Sequence, residues 1–366
     1  TLHPQWDPWH RDSEDVREQP ACGRFIMSGG TSPPWLEGED DPGLPKSSLS
    51  IWYHDLYTMG IDPSARFPRD RYHLLEDRIK GAQLPSPIEF REPRPASTDD
   101  LLRVHGPDYV DRFLGGRLSD REINRIGLKP WRSSFAQRTL LIMGGSISAL
   151  EHVCQHGGIS GNMAGGTHHS HADFGSGYCV FNDIAVCAKI ALEREGVERV
   201  AVLDLDVHQG DGTAAILRDT PGALTVSVHC EANFPFRKVA SDFDLPLPAG
   251  AGDSEYLDRV QEGLDIVSGF SPDVLLFQAG VDALASDALG KLEVSRPGMR
   301  LRNQMVLSHV VDQGLPCVIF MGGGYSDPIG HTVDAFLDLF TDAAIANGRM
   351  QRATGPEGRH REREAV

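Results

Sequence analysis

Residues 200–208 read Val-Ala-Val-Leu-Asp-Leu-Asp-Val-His. Side chains of a strand alternate between faces, so Val202, Asp204, Asp206 and His208 share one side and Ala201, Leu203, Leu205 and Val207 the other. One face is apolar; the other carries two carboxylates and an imidazole. Either this strand lies at a solvated edge, or the acids are buried and held by something positive. Apolar runs of strand length recur at 159–164, 224–228, 274–278 and 317–321. Stretches of helical period separate them, with helices expected over 135–156, 182–195, 254–268 and 297–312. This alternation predicts an α/β protein: a single large three-layer domain with a central, mostly parallel sheet and helices on both faces. Ligands of such sheets gather at the carboxyl ends of the strands.

The bulk properties agree with an enzyme-sized globule. A chain of 366 residues, 40% of them hydrophobic, can enclose a sizeable core. The domain is expected to span 49–345. Residues 1–48 are acidic and rich in Pro and Gly, and read as a loosely attached extension whose Trp6, Trp9 and Trp35 suit docking on a surface. Residues 346–366 read as a charged tail. A net charge of −17 argues against direct nucleic-acid binding and favours neutral or cationic ligands. No stretch approaches the ~20 apolar residues of a membrane span and no signal pattern opens the chain, so a cytoplasmic protein is expected. Cys22, Cys154, Cys179, Cys187, Cys230 and Cys317 show no C-x-x-C spacing and read as reduced thiols.

Four strand ends carry chemistry-bearing residues. The first is followed by His168 and His169, the run at 200–207 by Asp206 and His208, that at 274–278 by Asp282, and that at 317–321 by Tyr325. Asp206, His208 and Asp282 would make a set of two carboxylates and one imidazole suited to Zn²⁺ or Fe²⁺, with positions open for water and substrate. Each residue alone also has a structural reading: Asp282 as a helix cap, the paired histidines as surface groups, Tyr325 as packing. Asp204 and Asp211 flank the metal pair and suit the N–H groups of two imidazoles, fixing tautomer and basicity.

The segments GGTHHSHADFGSGYCVFND (165–183), DLDVHQGDGT (204–213), FQAGVDALASDALGKLEVS (277–295) and MGGGYS (321–326), in that order and spacing, closely resemble the zinc-dependent histone deacetylase family of the arginase-deacetylase superfamily. Class IV and bacterial class-IV-like members are the nearest in pattern, and the resemblance covers about residues 50–342. It implies the arginase/deacetylase fold and one Zn²⁺ bound by Asp206, His208 and Asp282. His168 and His169 would bond to Asp204 and Asp211 respectively, with His169 as general base and Tyr325 polarising the amide carbonyl. It further implies a structural K⁺ at Asp204, Asp206, His208, Ser227 and Val228, and a substrate channel walled by Gly177, Tyr178 and Phe234. Tyr178 stands where many members have Phe, which adds a hydroxyl to the channel.

The expected activity is hydrolysis of acetyl or other acyl groups from lysine side chains of a protein or peptide, or from a related amine such as an acetylated polyamine. A di-manganese ureohydrolase is an alternative that needs extra ligands for a second metal. A catalytically silent reader of acylated tails is another, and would be expected to lose one of these side chains. Assembly into an oligomer is left open.

Overall fold

The computed structural model describes residues 48–354. Expectations for 1–47, including Trp6, Trp9, Trp35 and Cys22, and for 355–366 lie outside the described residues. Among the described residues, eight strands run parallel in a single sheet: β1 (Leu49–Trp52), β2 (Ile88–Arg91), β3 (Ile159–Asn162), β4 (Val200–Asp204), β5 (Ala223–Cys230), β6 (Phe243–Leu247), β7 (Val274–Gln278) and β8 (Cys317–Phe320). Their order is β2-β1-β3-β8-β7-β4-β5-β6. Every residue of β4 and β7 is buried, as the continuous apolar runs of a two-sided parallel sheet require. β6 holds Pro246 and lies at the edge, where a missing N–H costs no ladder bond.

Between β1 and β2 run α1 (Leu56–Met59) and α2 (Arg71–Gly81). Before β3 come α3 (Thr98–Leu102), α4 (Pro107–Leu114), α5 (Asp120–Ile126) and α6 (Ser134–His156). The crossovers then supply α7 (Asp183–Leu192), α8 (Asp211–Leu217), α9 (Asp253–Phe270), α10 (Arg296–Gln313) and the last helix, α11 (Gly330–Thr354). α6, α7 and α8 pack together over one face, while α9, α10, α11 and α2 form the other layer. Local signals set the ends of these helices. The Asn182 side chain accepts from the Ala185 N–H to cap α7, and Ser295 does the same for α10 from Gly298, with Gly314 left-handed past its end. No helix among the described residues is long and apolar enough to cross a membrane.

Two boundaries differ from the sequence reading. β4 ends at Asp204 rather than 207, because side chains take over the backbone: Asp204 Oδ1 accepts from the Asp206 N–H and Asp206 Oδ1 from that of His208. These i,i+2 bonds turn the chain out of the sheet. Residues 346–354, assigned to the tail, continue α11, whose Ala346 and Asn347 are buried.

His105, between α3 and α4, ties this region to the loop before α7. Its Nδ1–H donates to the carbonyls of His171 and Ala172, and its Nε2 accepts from the Asn182 N–H at 2.9 Å. Protonation would set a second donor against that N–H. Burial accordingly lowers the His105 pKa from 6.5 to about 4. The unfolded chain therefore binds this proton first, and the ring's contribution is intact above pH 6.5 and lost as pH falls toward 4. The loss amounts to about 3 kcal/mol. Urea midpoints measured from pH 7 to pH 4 should fall more steeply for the wild type than for His105→Gln; parallel curves would refute the assignment.

Candidate active site

The carboxyl ends of β3, β8, β7 and β4, four neighbours in the sheet, open onto a cleft of about 1140 Å³. Asp206 and His208 follow β4, Asp282 follows β7, Tyr325 follows β8, and His168 and His169 follow β3. The structure thus brings together all the side chains that the strand-end reading singled out.

Asp206, His208 and Asp282 are buried, and their donor atoms all lie within 4.8 Å of one another. His208 Nδ1 is 3.0 Å from Asp206 Oδ1 and 3.1 Å from Asp282 Oδ2. The other oxygen of each acid is held by the protein. Asp206 Oδ2 accepts from the Gly323 N–H and Gln278 Nε2, both at 2.9 Å, and Asp282 Oδ1 accepts from the Val207 N–H at 2.8 Å. Gly280 and Gly323 make this approach possible, since a Cβ at either position would overlap carboxylate oxygens of the set. Burial and the Asp206 charge raise the Asp282 pKa well above the ordinary carboxylate range, so the pair calls for positive charge between them. Two buried carboxylates and one imidazole, preoriented and backed by further hydrogen bonds, fit a divalent metal with coordination positions left open.

Beside the set stand two imidazole–carboxylate pairs. His168 Nδ1 lies 2.7 Å from Asp204 Oδ2, and His169 Nδ1 lies 2.7 Å from Asp211 Oδ1. The two rings are 4.1 Å apart between centroids, so they cannot both charge easily. Burial disfavours charge on each. Asp204 and Asp206 overcome this at His168 and lift it to about 9, whereas burial and the neighbouring His168 lower His169 to about 4. The two imidazoles are thus shifted in opposite directions, His168 toward the charged form and His169 toward the neutral one, a difference that suits an acid–base site. Tyr325 is positioned through its backbone, whose N–H donates to Asp287 Oδ2 at 2.6 Å. Burial pushes its phenol well above the ordinary value, leaving the hydroxyl protonated and able to donate.

Gly177, Tyr178 and Phe234 all line the cleft. Gly177 has φ 51°, and a Cβ there would press on His169 and Phe234. Phe234 meets the His169 ring edge to face at 4.8 Å, and Tyr178 lies 5.9 Å from the Tyr325 ring. Asp204 and Ser227 are register partners across β4 and β5, which sets Asp204 beside the Ser227–Val228 segment.

Several supports have no signature in the sequence. The Asn233 amide sits 3.3 Å from His208 Nε2 and is itself fixed by the Leu289 carbonyl and the Lys291 N–H. Arg71 is buried on α2 and donates to the carbonyls of Gly322 and Gly324, while Arg302 on α10 donates to those of Ala279 and Gly280. These guanidiniums clamp the two loops that present Tyr325 and Asp282. His171 Nε2 lies 3.1 Å from Asp211 Oδ2, so one carboxylate serves two imidazoles. A third histidine in His168-His169-Ser170-His171 is the one signal that could have found it.

A family profile described as the histone deacetylase domain matches residues 65–338. The chain is 40% identical over 280 residues to an uncharacterized protein of Picosynechococcus sp. (strain ATCC 27264 / PCC 7002 / PR-6), covering 76% of this chain and 93% of that one. It is 32% identical over 271 residues to a histone deacetylase-like amidohydrolase of Pseudomonas aeruginosa, with 69% and 70% covered. Against histone deacetylase 2 of Arabidopsis thaliana the identity is 29% over 296 residues, with 77% and 76% covered.

Proposed function

The chain belongs to the histone deacetylase family, and from that premise we propose that it is a zinc-dependent amidohydrolase removing acyl groups from lysine side chains. The observation that carries this reading is the meeting, in one cleft, of a three-residue metal set, two imidazole–carboxylate pairs and a protonated tyrosine. Asp206, His208 and Asp282 would hold a Zn²⁺ ion, which when bound would polarise the acyl oxygen and acidify the attacking water.

The side chains do the rest. Asp211 engages His169 Nδ1, which leaves Nε2 to accept the proton of the attacking water. The Tyr325 hydroxyl donates to the acyl oxygen as it gains negative charge, a contact that strengthens toward the transition state. Collapse breaks the C–N bond, and His169 or His168 returns a proton to the leaving amine. The products are a carboxylate and a free lysine. Gly177, Tyr178 and Phe234 wall a passage suited to a long, thin acyl-lysine arm. We assign a structural K⁺ to the oxygens of Asp204, Asp206, His208, Ser227 and Val228; the register pairing of Asp204 with Ser227 supports this.

Tyr325→Phe tests the oxyanion role, because it deletes one donor and leaves the metal set intact. It should lower kcat on an acetyl-lysine reporter by about 10²- to 10³-fold, with the bound zinc unchanged. Turnover equal to the wild type would remove the phenol from the mechanism.

A further inference from the structure

Acidic residues outnumber basic ones 52 to 35 in this chain, yet the charged lining of the cleft has the opposite sign. Among the described residues it contains six cations, Arg66, Arg71, Arg125, Lys129, Arg138 and Lys291, and one carboxylate, Asp206. Arg71 and Arg138 are buried deep and spend their donors on protein oxygens, including the Gly322, Gly324 and Tyr57 carbonyls. Arg66, Arg125, Lys129 and Lys291 are exposed. Among the described residues none of these four forms an ion pair. The Arg125 guanidinium lies 4.5 Å over the Phe174 ring, and Lys291 Nζ donates to the Ala232 carbonyl. Away from the cleft, Arg78 and Arg296 both pair with Asp334, and Arg300 pairs with Asp342.

The four come from three separate segments, before α2, at and just after the end of α5, and in the loop after β7. Their charges therefore reach a substrate from several directions. Unneutralised like charges around a concave, low-dielectric opening focus the field there, whatever the net charge of the whole molecule. This reverses the preference for cationic ligands that net charge alone suggests. A polyamine or a basic tail would bring more positive charge to this opening.

We propose that the mouth selects acyl-lysine set in an acidic stretch of polypeptide, with carboxylates on both sides of the lysine. The inference rests on the reading of the cleft as an acyl-lysine hydrolase and adds the chemistry of the flanks. A metabolite with one carboxylate answers only one of the three segments, whereas a peptide crossing the opening answers several. Phe236, 86% exposed, and Leu289, 43% exposed, belong to the same lining and give such a peptide apolar contact between the charges.

The test uses three peptides of equal length with a central acetyl-lysine flanked by Asp and Glu, by Ser and Gly, or by Lys and Arg, with acetylspermidine as a fourth substrate. At low ionic strength the acidic peptide should exceed the basic one in kcat/KM by roughly tenfold, and the gap should close to about twofold in ~0.5 M salt. The double variant Arg66→Glu/Lys129→Glu, and separately Lys291→Glu, should narrow or invert that ratio. The neutral peptide in each preparation normalises for folding and metal content. Equal rates at low salt, a preference for the basic peptide, or faster cleavage of acetylspermidine would overturn the proposal. If no peptide is cleaved, the parent reading fails on its own. Fluorescence anisotropy of the same labelled peptides then decides the charge preference: tighter binding of the acidic one supports it and equal binding refutes it.

Discussion

Asp206→Asn is expected to strip the protein of bound zinc and to cut acetyl-lysine turnover by about 10³-fold or more, since the several kcal/mol of carbonyl polarisation goes with the ion. The substitution is nearly isosteric and removes one charge from a buried carboxylate pair that shares the His208 imidazole. The fold should tolerate it. The amide oxygen can still accept from the Gly323 N–H or from Gln278, and the mutual repulsion with Asp282 disappears. Thermal melts separate the effects. A chelator should lower the wild-type Tm, because a ligand that binds only the native state stabilises it, and should leave the variant's Tm unmoved. A variant that keeps stoichiometric zinc by elemental analysis would place the ion elsewhere.

His169→Ala is expected to lose about 10²- to 10⁴-fold in kcat, the range of a positioned general base, while its zinc content stays that of the wild type. Retained metal with lost turnover distinguishes this variant from Asp206→Asn. The truncation frees one oxygen of Asp211, but the other keeps its His171 partner, so the carboxylate is not left alone. His168→Ala is the control. If the base were His168, its removal would produce the larger loss and His169→Ala would stay within about tenfold of the wild type.

The chemistry at the strand ends is legible in the sequence because it is local. The buried runs of β4, β7 and β8 are continuous, and the residues a few positions beyond each run are the ones that face the cleft. Asp204, Asp206 and His208 do gather at one place, but not through strand alternation alone. Only Asp204 is in the strand, and the other two are delivered by side-chain-to-backbone turns. Gln278, a polar residue closing an apolar strand, could have been found by the same reasoning. Asn233, Arg71 and Arg302 could not, for each acts through a contact set by the tertiary fold and belongs to no local pattern.

The first third of the domain resists assignment from sequence because its elements are short. β1 and β2 have four residues each, and α3 and α5 have five and seven. Their signals are nonetheless present: Ser97 with Asp100 and Ser119 with Glu122 form capping boxes at the starts of α3 and α5. The sign of the mouth is hidden for another reason. Net charge sums over the whole chain, whereas selection at an opening depends on the few charges that surround it.

Gly280 and Gly323 divide the molecule into parts that can and cannot be redesigned. They come from two different strand-end loops, and each lacks a side chain because carboxylate oxygens of the metal set occupy the space. A library that randomises either position should therefore return glycine alone among its active members, and the loops around them behave as fixed scaffold. Arg66, Lys129, Phe236 and Leu289 project from the rim without any such restraint. Diversity placed there changes what enters the cleft and leaves untouched the backbone that holds the reacting groups.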